Sequence, residues 1–134
     1  MNKKVKIIDS NLIIRFFAAD DPRKADAVEK LLKEAKKGEL ELPDVIIAEI
    51  VWVLASFYKL DKKEIIEKLE SLLSLEKVKM NRALLKRSIE IYYNYSVSYT
   101  DAYLIAYTLE AGVDSFYSYD QELDKVKEVK RLEP

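Results

Sequence analysis

The chain has 134 residues, 49% of them hydrophobic, and its 24 acidic and 23 basic residues leave a net charge of −1. We expect this length to form a single domain over residues 1–134. Because there are 0 Cys and 0 His, disulfides, thiolate or imidazole metal sites and a histidine base are excluded. No apolar stretch reaches the roughly 20 residues of a membrane span, and the N-terminus lacks the apolar segment of a signal peptide. We therefore expect a cytoplasmic protein with no membrane partner.

Strand patterns alternate with amphipathic helix patterns along the whole chain. The predicted strands cover residues 5–9, 39–43, 76–80, 114–119 and, as an edge strand, 128–132. The first predicted helix follows the first strand and ends near residue 18. Further helices are predicted over 23–37, around Glu49, from 60–64 onwards, over 82–95 and 100–111, and, as a short helix, over 120–123. This alternation indicates an α/β fold with a parallel sheet between helical layers.

Glu49 is the one charged residue within the apolar run 45–57. In a helix, Val45 and Trp52 would lie one turn before it and one turn after it. An ionised carboxylate in apolar surroundings costs several kcal/mol unless it meets a cation or hydrogen-bond donors. Glu49 is therefore protonated, paired with a lysine or arginine, or part of a polar cleft that binds a cation.

Three further acids stand at the predicted ends of strands or starts of helices. Asp9 ends the first strand, Asp101 begins a helix and Asp120 follows the fourth strand. These positions suit a ligand site of an α/β fold, but acids at helix starts also act as caps and interact favourably with the helix dipole. Ser10 and Asn11 are predicted to cap the first helix. The residues alone leave capping and metal binding open for the three acids.

Four segments in a fixed order and spacing resemble the PIN-domain ribonucleases: residues 8–11, 47–54, 99–106 and 118–120. Over essentially its whole length, the chain is most similar to the VapC toxins of bacterial and archaeal toxin–antitoxin pairs. The resemblance implies a PIN-like three-layer α/β/α sandwich around a central, mostly parallel sheet of four to five short strands.

The resemblance also implies an endoribonuclease that depends on Mg²⁺ or Mn²⁺ and hydrolyses RNA phosphodiesters with metal-activated water. Mg²⁺ prefers oxygen ligands, and a divalent ion relieves the repulsion between neighbouring carboxylates. Carried over position by position, the catalytic and metal-binding acids are Asp9, Glu49, Asp101 and Asp120. The supporting positions that match the family are Ser10, Asn11 and Ser118.

Several other side chains have two interpretations each. Arg15, on the first helix, contacts a substrate phosphate or forms a surface salt bridge. Tyr99, Tyr103 and Tyr107 either stack on RNA bases or belong to the core or to a homodimer face. Trp52 is predicted to lie in the core or in an interface.

The resemblance implies three partners: RNA as the substrate, a cognate antitoxin as the inhibitor, and a second copy of the chain in a homodimer. Two alternatives stay open. One is a housekeeping PIN nuclease that acts in RNA processing. The other is a catalytically silent, PIN-like binding module whose acids only cap helices.

Overall fold

The computed structural model describes residues 4–134, and the first three residues of the predicted domain lie outside this range. Within it, six α-helices, four β-strands and one 3₁₀ helix follow each other in nearly the predicted order. They are β1 (Lys6–Ile7), α1 (Ser10–Ala18), α2 (Pro22–Glu34), β2 (Leu40–Glu41), α3 (Asp44–Ser56), α4 (Lys62–Leu73), α5 (Arg82–Asn94), α6 (Tyr99–Glu110), β3 (Ser115–Tyr117), the 3₁₀ helix (Gln121–Lys125) and β4 (Lys130–Leu132). None of the helices within residues 4–134 is both long and apolar enough to cross a membrane.

The strands pair in parallel, as predicted, but they are shorter than the sequence pattern suggested. β1 pairs with β2, so that Lys6 lies opposite Leu40. β3 pairs with β4, so that Phe116 lies opposite Arg131. The predicted strand at 76–80 is reduced to a single parallel bridge from Lys79 to β2. The two ladders belong to two compact units, one that runs through residue 81 and one that begins at residue 82.

In the first unit, α3 has apolar side chains on opposite faces, yet only one of these faces is covered. Its buried side chains are Ile47, Ile50, Val51 and Leu54. Val45 and Trp52, on the opposite face, are 72% and 67% exposed. The prediction of Trp52 as a core residue is therefore wrong, and an uncovered apolar helix face of this kind is unusual in a monomeric protein.

Local signals set the ends of the neighbouring helices. Asp21 caps α2, since its carboxylate accepts a hydrogen bond from the Lys24 N–H at 3.3 Å, and Pro22 occupies the first helical position. α2 ends at Glu34 rather than at residue 37, because the backbone becomes extended at Ala35. Gly38 then adopts a positive φ of 77°, which suits the turn that leads into β2.

In the second unit, α5 and α6 pack against each other and β3 and β4 follow them. Tyr92 and Tyr99 are both buried and meet edge to face, with ring centroids 5.8 Å apart. The predicted core role is confirmed for Tyr99, whereas Tyr107 is exposed. β3 and β4 run parallel, and the connection between them contains the 3₁₀ helix. The candidate acid Asp120 lies in this connection, shortly after the end of β3.

The start of α4 offers a test of how local signals contribute to stability. The Asp61 carboxylate accepts from the Glu64 N–H at 2.8 Å, and the Glu64 side chain accepts from the Asp61 N–H at 3.3 Å. Asp61→Ala should lower the free energy of unfolding in urea by about 1 kcal/mol, since this capping box is lost. Lys63→Ala, at an exposed position of the same turn, should change it by less than about 0.5 kcal/mol. Equal effects of the two substitutions would contradict the cap.

Candidate functional site

Asp9 occupies the N-cap position of α1, but its side chain makes no capping hydrogen bond. The residue is exposed, and its carboxylate forms no ion pair with any residue in the described range. The predicted caps, Ser10 and Asn11, are also wrong, because α1 already begins at Ser10. Capping therefore does not account for the Asp9 carboxylate, which is available for another ligand.

The Ser10 hydroxyl donates a hydrogen bond to Glu49 Oε1 at 2.5 Å, across 39 positions of sequence. Ser10 is only 4% exposed, so its hydroxyl is fixed by the packing around it. A distance of 2.5 Å lies in the range of charge-assisted hydrogen bonds between a hydroxyl and a carboxylate. This contact joins the start of α1 to α3 and places Glu49 against the residue that follows Asp9.

Glu49 is exposed, contrary to the expectation that its apolar neighbours would bury it. It shares a helix face with Val45 and Trp52, and that face is the uncovered one. Within residues 4–134, no lysine or arginine pairs with Glu49. The alternative of a buried ion pair is thus ruled out for the described part of the chain. α3 therefore carries a solvent-exposed carboxyl group, that of Glu49, among exposed apolar side chains.

In the second unit, Asp101 is in the first turn of α6 and Ser98 is the cap. The Ser98 hydroxyl oxygen accepts from the Asp101 N–H at 3.1 Å. The half-buried Asp101 carboxylate has no hydrogen bond or ion pair of its own among residues 4–134. Its place in the first turn suits the helix dipole, but the capping task belongs to Ser98.

Asp120 is the one acid of the four that does cap a helix. Its Oδ1 accepts from the Glu122 N–H at 3.0 Å at the start of the 3₁₀ helix. The Asp120 N–H in turn donates to the Ser118 hydroxyl oxygen at 3.0 Å. Ser118 therefore orients the backbone of Asp120, and the second carboxylate oxygen of Asp120 is left for a ligand.

Arg15 forms an exposed ion pair with Asp20 at 3.3 Å, and the Tyr58 hydroxyl donates to the same carboxylate at 3.2 Å. The surface salt bridge is the interpretation that these contacts support. Arg15 also lines, with Asn11 and Lys24, a groove of about 450 Å³ along α1 and α2. Asn11 is exposed at this groove, one turn of helix from Arg15.

Arg131 in β4, whose guanidinium makes four hydrogen bonds, was not among the residues singled out from the sequence. Its Nε and one terminal nitrogen donate to the two carboxylate oxygens of Asp124 at 2.9 and 3.3 Å. These hydrogen bonds lower the pKa of Asp124 and, together with those to Glu133, raise the pKa of Arg131. The Asp124 carboxylate is thus already paired with Arg131. A lone arginine in a predicted edge strand was the only sequence signal.

The four candidate acids supply hard oxygen donors of the kind that Mg²⁺ and Mn²⁺ prefer. None of the four is in an ion pair within the described range, so no resident cation competes for them. In the same range, however, the structure contains no group of three or more Asp, Glu, His or Cys side chains arranged to hold a metal. The chemistry of the donors fits a divalent ion, and the structure shows the exposure and the hydrogen bonds of each donor.

A model of the PIN domain family matches residues 6–129. The chain belongs to the PIN domain family. Membership confirms the predicted α/β fold, in agreement with the short parallel strands between helices. The chain is also similar to a VapC ribonuclease of Aquifex aeolicus (strain VF5), with 22% identity over 125 residues, which is 91% of this chain and 92% of that protein.

The Ser10–Glu49 hydrogen bond can be measured with a double-mutant cycle. Ser10→Ala, Glu49→Ala and the double variant should show a coupling of about 1 kcal/mol in the free energy of unfolding, because each single change removes one partner of the same bond. The matched cycle pairs Glu49→Ala with Ser56→Ala, two turns further along α3, and should be additive. A coupling indistinguishable from that of the Ser56 cycle would show that the Ser10 bond does not form in solution.

Proposed function

We propose that this PIN domain is a metal-dependent endoribonuclease that acts as the toxin of a toxin–antitoxin pair. The observation that carries the proposal is a pair of carboxylates at the start of α1 that no cation of residues 4–134 neutralises. Asp9 is exposed and does not cap its helix, and Glu49 is held there by the buried Ser10 hydroxyl. Family membership and the similarity to a protein named VapC ribonuclease give this pair its chemical interpretation.

In this proposal, Asp9 and Glu49 bind Mg²⁺ or Mn²⁺ together with Asp101 and Asp120. When bound, the ion supplies Lewis-acid polarisation of the phosphodiester and a source of hydroxide at neutral pH, which a chain without histidine otherwise lacks. Ser10 fixes one carboxylate oxygen of Glu49 and so directs the other. The Glu122 N–H fixes one carboxylate oxygen of Asp120, and the Ser118 hydroxyl fixes the Asp120 backbone by accepting from its N–H.

A silent PIN-like binding module is the second candidate function. It is favoured by one observation, that no group of three or more potential ligands is arranged for a metal within residues 4–134. In that case, Asp120 would serve only as a helix cap and the Asp9 carboxylate would have no task. A direct cleavage assay separates the two candidates, since only the nuclease turns over RNA.

The proposed partners follow from the same reasoning. The similarity to a VapC ribonuclease favours an antitoxin that inhibits the enzyme, and we place this pair in the cytoplasm. A homodimer is supported by Trp52, which is 67% exposed one turn beyond Glu49 on α3, so that the contact would border the Glu49 carboxylate and not cover it. Exposed apolar surface of this extent is typical of protein–protein contacts, and tryptophan often anchors them.

The activity test uses purified protein, a structured RNA panel and either Mg²⁺, Mn²⁺ or EDTA. The wild type should cleave RNA with Mg²⁺ or Mn²⁺ and not with EDTA, and the products should carry a 5′-phosphate, because water rather than the RNA 2′-hydroxyl attacks. Asp9→Asn and Glu49→Gln should reduce the rate of RNA cleavage to that seen in buffer without protein. Asp26→Asn, at an exposed position of α2, is the matched control and should cleave as the wild type does.

Two results of that assay would contradict the proposal. Cleavage by Asp9→Asn at the wild-type rate, with far-ultraviolet circular dichroism unchanged, would remove Asp9 from the site. Undiminished cleavage in EDTA would remove the metal from the mechanism. RNA left intact under all conditions would favour the silent module.

The dimer test uses sedimentation at micromolar concentration. The wild type should sediment as a dimer, and Trp52→Glu should sediment as a monomer, because a charge in an apolar interface loses its hydration. Tyr93→Glu is the matched control: Tyr93 is 71% exposed but lies on α5, so the dimer should persist. A monomeric wild type, or a dimeric Trp52→Glu variant, would contradict the α3 interface.

A further inference from the structure

The Arg131 side chain is 10% exposed, and its guanidinium makes four hydrogen bonds within the second unit. Two go to the Asp124 carboxylate. A third goes to the backbone carbonyl of Ser118 at 2.7 Å, and a fourth to Glu133 Oε2 at 2.5 Å. Arginine suits this arrangement, because its planar guanidinium group donates hydrogen bonds to several acceptors at once.

These contacts enclose the segment that carries Asp120. Ser118 lies two residues before Asp120, and Asp124 lies four residues after it. Arg131 therefore bonds to both sides of the segment from the adjacent strand β4. Inside the segment, Asp120 is held by the Ser118 hydroxyl and by its own bond to the Glu122 N–H. The Ser118 N–H also bonds to the Leu132 carbonyl at 3.0 Å, which extends the β3–β4 ladder to the same point.

We propose that Arg131 is a positioning residue that holds the Asp120 carboxylate in place for the nuclease reaction, through Ser118 on one side and Asp124 on the other. This inference rests on the proposed function, because it takes Asp120 as an acid of the active site. Arg131 itself does not contact substrate, because its side chain is largely covered and its fork is occupied by protein acceptors.

The electrostatics of the pair agree with this role. The hydrogen bonds from Arg131 are the main reason that the pKa of Asp124 lies below its ordinary value. Asp124 and Glu133 together occupy three of the four hydrogen bonds of the guanidinium and so hold it against the Asp120 segment. A second arginine of the same unit provides the contrast: Arg87 pairs with Glu110 at 3.3 Å and is 43% exposed.

The test compares Arg131→Lys and Asp124→Asn with Arg87→Lys as the matched control. Lysine retains the charge of Arg131 but has only three donors on one nitrogen, so it cannot reproduce the four hydrogen bonds of the guanidinium fork. Asp124→Asn retains Arg131 and its bond to Ser118, so it serves if Arg131→Lys fails to fold. Each variant is examined by amide hydrogen exchange and by steady-state RNA cleavage.

In Arg131→Lys, the amides of residues 118–123 should exchange about tenfold faster, whereas those of α5 and α6 should be unchanged. The kcat for RNA cleavage should fall about tenfold or more, as is typical when a group that orients a ligand is lost, with KM unchanged. Asp124→Asn should change both quantities in the same direction, and Arg87→Lys should change neither. This split between kcat and KM distinguishes positioning from a general loss of structure.

Unchanged exchange of residues 118–123 in both Arg131→Lys and Asp124→Asn would overturn the inference. Faster exchange with kcat equal to that of Arg87→Lys would also overturn it, because the segment would then move without consequence for the reaction. If the wild type itself cleaves no RNA, the proposed function fails and this inference fails with it. An active wild type with unaffected variants would remove only the role of Arg131.

Discussion

The candidate site depends on the hydrogen bond from a buried hydroxyl to an exposed carboxylate, Ser10 to Glu49. The bond engages the Ser10 hydroxyl, and the neighbouring Asp9 carboxylate has no hydrogen-bond or ion-pair partner in the described chain. The bond also fixes an acid on a helix face that otherwise carries exposed apolar side chains. Carboxylates of this kind are the oxygen donors that a divalent cation prefers.

The distribution of cations supports the same conclusion. Arginine side chains pair with Asp20 and with Asp124, whereas the four candidate acids have no such partner among residues 4–134. Arg131 forms its bonds around Asp120 without neutralising it. Within the described chain, these guanidinium groups therefore pair with acids other than the four candidates.

The order of helices and parallel strands could be predicted, because periodicity, caps and glycine turns are local signals; the Asp21–Pro22 start of α2 is an example. The exposure of Glu49 could not, since an apolar run does not reveal which face of its helix is covered. The partner of Ser10 was also missed, because a hydroxyl at a helix start can accept from a nearby backbone N–H as a cap or donate to an acceptor 39 positions away, and sequence alone does not distinguish the two. Arg131 was missed because its acceptors come together only through the β3–β4 pairing. The joint metal-binding role of the four acids stays a prediction.

The central claim is that Asp9, Glu49, Asp101 and Asp120 bind a divalent cation, and thermal unfolding with and without Mn²⁺ tests it most directly. An ion that binds only the native state at about 100 times its Kd stabilises it by about 2.7 kcal/mol. The account predicts a clear rise in Tm for the wild type when Mn²⁺ replaces EDTA, and no rise for the Asp9→Asn/Asp101→Asn double variant. An unchanged Tm in the wild type, or an equal rise in the double variant, would contradict it.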